Sequence, residues 1–454
     1  MGEALSTTQI LGRFVTESRF EALPEALRHE GRRSILNHVG CALGVARDPA
    51  VITALEIMRE TSGKPSATVL GQRDRLGVME AAFVNAIASN LLDYDDTHLR
   101  TVIHPSAPVA PVAFALGEET GASGAEVLHA FLLGAEIACR IGNAVSPGHY
   151  ARGWHITAST GVFGAAAAAA RLMRLSAEQT ADALGIAASQ SGSIVENLAT
   201  AAKNIGVGNA TRNGILAARF AARSYRAAPL AIEGPLGWAR AMGDEPVLAE
   251  ITEGLGQRWE IARNTYKPYA AGIVFHAVID ACLALREQLG AAVAQITRVA
   301  VAGDALLLAR GDRVVCNERD TRVSIHHCAA IALLLGRADV ADFEMAAVQD
   351  PALAALRAKV LAECDSSLPR GAARVTITLA DGSTHQASVE HPRGSAERPL
   401  SDDELAAKYR ANAALGGTTA DVEGQITALW ALDRSASIAP LMALLSNRAR
   451  NAVG

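Results

Sequence analysis

The apolar residues of this chain change their period near residue 265, and that change constrains the fold more than any other feature. Before it the spacing is helical. "RRSILNHVGCALGVA" puts Ile35, Val39 and Leu43 four residues apart, on one face of a helix. "SGAE" at Ser123 to Glu126 and "SAEQ" at Ser176 to Gln179 read as capping boxes, in which serine and Glu or Gln satisfy the first free N–H groups of a helix. The all-alanine run from Ala165 to Ala170 predicts helices that approach closely. After the change, "QITRVAVAG" predicts a strand and "RVTITLADGSTHQASVEH" a hairpin. In the hairpin Val375, Ile377 and Leu379 alternate with polar residues, and Asp381-Gly382 supplies the turn. Between the two lies a helical stretch, "SIHHCAAIALLLG", and a third capping box at Ser401 to Glu404 returns the chain to helix. The predicted fold is mainly α: a large all-helical domain, residues 1–265 completed by 397–454, with a smaller α+β domain inserted at 266–396. A chain of 454 residues, 50% hydrophobic, is also longer than one core usually serves.

Charge and cysteine usage exclude several classes. The net charge of −5 and the absence of a basic, aromatic-interleaved cluster give no reason to expect nucleic acid. "GVFGAAAAAARLM" is too short and too alanine-rich to span a bilayer, and "MGEALSTTQILGRFVTES" has no basic region before an apolar core. The expectation is no membrane partner and a cytoplasmic setting. Six scattered cysteines without a C-x-x-C pair argue against disulfide staples and against cysteine-held zinc or iron–sulfur sites. Of the 42 basic residues only Lys64, Lys203, Lys267, Lys359 and Lys408 are lysines; a lysine surviving that bias is a candidate for a compact ammonium.

The stretch "NLLDYDDTHLRTVIHPSAP" from Asn90 to Pro108 crowds carboxylates and histidines beside an apolar run. Its plain reading is a helix end with capping aspartates; its chemical reading is an acid–base site. Three further segments share that character. "SPGHYARGWHITASTG" holds His149, Tyr150, Trp154 and His155. "ATAAKNIGVGNATRNG" carries Lys203. "ARNTYKPYAAGIVFHAVIDA" carries Lys267 where the α+β domain begins. Lysines hold carboxylates as point charges, and histidines move protons near neutrality. Together they suit proton abstraction next to a carboxylate. The Asp and His residues could instead ligate a metal, but no H-E-x-x-H or comparable spacing is present, so none is expected. No G-x-S-x-G elbow is present for a serine hydrolase either.

In order along the chain, "ATVLGQRDRLGVMEAAFVNAIASNLLDYDDTH", "HPSAPVAPVAFALGE", "HYARGWHITASTGVFGAAAAAARLM", "AASQSGS", "IEGPLGW", "YKPYAAGIVFHAVIDA" and "RPLSDDELAAKY" resemble the MmgE/PrpD family. The group includes 2-methylcitrate dehydratase, cis-aconitate decarboxylase and iminodisuccinate epimerase. The resemblance implies a homodimer, no cofactor and no metal, with a small polycarboxylate as substrate. It places the family's acidic motif on Asp93 and Thr97, its following histidine on His104, the G-W-H histidine on His155, and the site lysines on Lys203 and Lys267. The decarboxylase-like pattern F-S-x-x-Y falls on "VSIHHC", putting His327 in the tyrosine's place. The expected roles are His104, His155 and Asp93 in acid–base work, with Thr97, Lys203, Lys267 and His327 against the substrate. The expected activity is a hydro-lyase of the 2-methylcitrate dehydratase kind, with epimerisation or decarboxylation as the alternative and a non-catalytic binding protein as the outside reading.

Overall fold

The computed structural model describes residues 5–418 and 421–447. They form two compact units: one runs to Leu91, resumes over Asp95–Asn264 and again from Ser401; the other comprises Leu92–Tyr94 with Thr265–Leu400.

The first unit is helical. Six of its helices carry the argument: α1 (Glu25–Gly44), α2 (Val78–Asn90), α3 (Ser106–Thr120), α4 (Gly124–Val145), α5 (Ile156–Leu172) and α6 (Ala202–Ala221). At its centre α5 packs against α3, α4 and α6. It is buried on every side from Ile156 to Ala170, as expected of a helix with no polar face. Alanine alone does not permit this closeness. A Cβ on Gly134 of α4 would sit 2.5 Å from the Gly164 carbonyl oxygen, and one on Gly214 of α6 would sit 2.4 Å from the Ala165 Cβ. The capping boxes at Ser123, Ser176 and Ser401 all form. In α1 the apolar face is buried as read, but so are Ser34, Asn37 and His38. Helix Asp402–Leu415 returns to pack on α1, whose other neighbours include α2, α3, α4 and helix Val422–Trp430. No helix among the described residues is long and apolar enough to cross a membrane.

The second unit is built on a four-stranded sheet: β1 (Ile296–Gly303), β2 (Val360–Cys364), β3 (Ala373–Leu379) and β4 (Thr384–Val389), in the order β2-β1-β3-β4. The β3–β4 hairpin forms as expected, pairing Val375 with Ala387 and Ile377 with His385, and Gly382 at φ 83° turns it. Strand β2 joins β1 in parallel. It was not legible because its residues from Leu361 to Cys364 are only partly covered and carry no alternation. Helices α7 (His276–Leu289) and α8 (Ile325–Leu335) pack on each other; α7 also covers β3 and β4, and α8 covers β2. Ser324 caps α8, and Gly336 ends it in the left-handed region.

Candidate active site

The acidic stretch is not a helix end. Helix α2 stops at Asn90, and Asp93 then takes φ 52°, a left-handed conformation that a non-glycine residue adopts under constraint. Leu92–Tyr94 therefore leaves the helical unit, in which it was expected, and groups with the second. There the Lys267 ammonium donates to the Asp93 carbonyl at 2.8 Å and to its carboxylate at 3.2 Å. The Tyr94 hydroxyl donates to the Pro268 carbonyl, and Arg322 reaches the Leu92 and Ala270 carbonyls while pairing with Glu344. Lys267 is fully buried, whereas the Asp93 side chain keeps 15% of its surface exposed. Lys267 is thus the counter-charge of Asp93, and a bound carboxylate would share it.

In the helical unit the next residues build a different device. Asp96 is fully buried and accepts from Ser34 at 2.5 Å, Asn264 at 2.6 Å and the Ser106 hydroxyl at 2.6 Å. Burial still pushes its carboxyl up to about 6. Its backbone carbonyl lies 2.8 Å from His104 Nδ1, while the Asp95 carboxylate and the Thr97 hydroxyl each lie 3.4 Å from that nitrogen. The carbonyl can only accept, so the proton of neutral His104 belongs on Nδ1 and the basic lone pair on Nε2. The His104 N–H donates to the Thr157 hydroxyl in the first turn of α5. His155 stands at the N-cap of that same helix, its N–H held by the Ser193 carbonyl, so α5 ties the two histidine segments together. Lys203 lies buried in the first turn of α6.

Other candidates serve the framework. His98 bonds Glu260 at 3.2 Å and Thr101 at 2.8 Å; the His98 bond is the main reason Glu260 drops to about 2. His149 is held by Ser159 and the Met242 carbonyl and stacks on Trp154; burial lowers it to about 4. His327, expected against the substrate, has both ring nitrogens engaged. Nε2 faces the Asp342 carbonyl at 2.8 Å, and Nδ1 faces the Arg357 guanidinium at 3.2 Å. Burial lowers it to about 4. Asp95 and Asp96 themselves were not singled out from the sequence, although the D-Y-D-D spacing carried them.

The helical unit holds a histidine beside two buried carboxylates, and the second unit holds a lysine–aspartate pair. Residues 9–250 match the MmgE/PrpD N-terminal domain and residues 269–434 the MmgE/PrpD C-terminal domain, so the chain belongs to the MmgE/PrpD family. The second match runs past Leu400, where the chain has already returned to the helical unit. Cis-aconitate decarboxylase of Homo sapiens is 30% identical over 86% of this chain and 84% of its own length. The Mus musculus enzyme of that name is 28% identical over 94% and 91%, and that of Aspergillus terreus 26% over 93% and 92%.

Proposed function

We propose that the chain is a lyase that works on a small di- or tricarboxylate by moving a proton at the carbon next to a carboxylate. The observation that carries this reading is His104. Its Nδ1 is fixed by the Asp96 carbonyl beside the Asp95 carboxylate, so Nε2 takes or returns the proton and Asp95 offsets the positive charge that forms. Lys203 and Lys267 would neutralise substrate carboxylates and the charge that develops next to them. His155 is the second acid–base candidate, and Thr97 a substrate contact. No step in this scheme calls on a metal or organic cofactor.

Within that chemistry, decarboxylation of a cis-aconitate-like tricarboxylate is favoured by the relatives, whose names describe that activity. The carbon–carboxylate bond breaks, carbon dioxide leaves, and an acid protonates the carbanion. Dehydration of the 2-methylcitrate kind is the second reading, kept because the tyrosine of the decarboxylase pattern is replaced by His327 and that activity does not transfer directly. There a base takes the C–H proton and an acid releases the hydroxyl as water. We also propose a homodimer, which light scattering of the purified protein tests directly.

The deciding experiment incubates the protein with cis-aconitate, 2-methylcitrate, citrate and iminodisuccinate in D₂O and follows products by NMR and mass spectrometry. Turnover of one of them, with deuterium next to a carboxylate, is the expected result. No turnover of any would overturn the reading.

A further inference from the structure

The carboxylate beside the His104 ring has buried partners of its own. Asp95 is fully buried, and its second oxygen accepts from the Asn90 amide at 2.6 Å. Asn90, the last residue of α2 and also fully buried, accepts in turn from the Asn204 amide at 3.0 Å. Asn204 follows Lys203 in the first turn of α6. Buried hydrogen bonds therefore link Asp95 through Asn90 to the helix that carries Lys203, while the other Asp95 oxygen lies 3.4 Å from the His104 ring without a hydrogen bond. A buried carboxylate without such donors would be held out of position or kept protonated. An amide is well suited to the middle of the line, because its NH₂ serves Asp95 while its oxygen serves Asn204.

We infer that Asp95 is the positioning residue of His104, and that Asn90 and Asn204 are the residues that position Asp95. This inference rests on the proposed proton chemistry at His104 and extends it to Asp95, Asn90 and Asn204. The Asp95 carboxylate lies 3.4 Å from Nδ1, and the Asp96 carbonyl holds the Nδ1 proton, which leaves the ring's lone pair on Nε2. When a C–H bond breaks and its proton passes to Nε2, the imidazolium finds its counter-charge already in place.

Two readouts test it, one independent of any substrate. In ligand-free protein carrying ¹⁵N-histidine, the His104 ring, assigned by its loss in H104Q, should show the Nδ1–H tautomer. Asp95→Asn should move that ring's signals and leave those of His149 and His327 in place. The Nε2–H tautomer in the wild type, or an unmoved His104 signal in Asp95→Asn, would overturn the inference whatever the enzyme acts on. The second readout uses the carboxylate turned over in the panel. Asp95→Asn should lower kcat about 10- to 100-fold with KM within about 3-fold, and should add nothing further in a His104→Ala background, as residues acting as a unit do. Asn204→Ala should lower kcat in the same sense by less, and keeps the test open if Asp95→Asn does not fold. Equal losses in the presence and absence of His104, or a loss confined to KM, would make Asp95 a framework residue only. A panel without turnover would sink the proposed activity while leaving the tautomer test standing.

Discussion

His104 and His327 are both buried imidazoles on segments the family resemblance marks, yet the structure treats them in opposite ways. At His104 one nitrogen is fixed by a carbonyl with a carboxylate at 3.4 Å, and in the proposed reaction the other carries the proton. At His327 a carbonyl takes Nε2 and a guanidinium takes Nδ1. A cation donating to Nδ1 opposes protonation, and burial opposes it further, so that ring stays neutral. Burial and residue type are shared; what separates an acid–base group from a strut is the charge its neighbours place behind it.

The largest effect that follows is at His104. His104→Ala should cut turnover of the true substrate by about 10²–10⁴, the usual contribution of a positioned acid–base group, with the circular dichroism spectrum unchanged. Full activity in that variant would erase the distinction drawn between the two histidines.

The lysines come next. Lys203→Ala and Lys267→Ala should each lower kcat/KM by roughly 10- to 150-fold, the range for losing a charge-assisted hydrogen bond of about 1.5–3 kcal/mol. Lys267→Ala should be the more severe, because it also strips Asp93 of its counter-charge. Lys359 donates to the Ile296 carbonyl near the start of β1, and Lys359→Ala should change kcat/KM by less than about 2-fold. Steady-state kinetics of the three variants side by side tests the set, and three equal small effects would remove both lysines from the site.

Local signals and distant ones were not equally legible in the sequence. The capping boxes at Ser123, Ser176 and Ser401 and the Asp381-Gly382 hairpin are settled within a few residues, so pattern alone finds them. Asp96 is different. Its hydrogen-bond partners come from Ser34 and Asn264, and Asp95 reaches Asn204 through Asn90; such partners depend on how helices pack, which no local spacing reports. The passage of Leu92–Tyr94 out of the helical unit was hidden for the same reason, since the groups that hold it are Lys267, Pro268 and Arg322. The resemblance pointed to His327 by position, and position does not report that both of its nitrogens are occupied.

The smallest effect on activity is expected where the resemblance suggested a large one. Glutamine can keep the donor that His327 Nε2 offers to the Asp342 carbonyl while giving up the titratable ring. His327→Gln should therefore change kcat by less than about 3-fold if the residue is a strut; proton transfer through the ring would make the loss about 10²-fold or more. Its mark should appear in stability instead. His327 sits at about 4 in the folded protein, below the ordinary histidine value of about 6.5 in the unfolded chain. Between those values the unfolded chain binds the proton and the folded one does not, so stability is present above pH 6.5 and falls as pH drops towards 4. At full extent a shift of that size corresponds to about 3 kcal/mol. Urea melts of wild type and His327→Gln at pH 7.5 and pH 5 would read it. The wild type should lose more stability than the variant on acidification, even if the variant is the weaker of the two at pH 7.5. Parallel losses would mean that His327 is not the buried neutral ring described here, and a large fall in kcat would return it to the reaction.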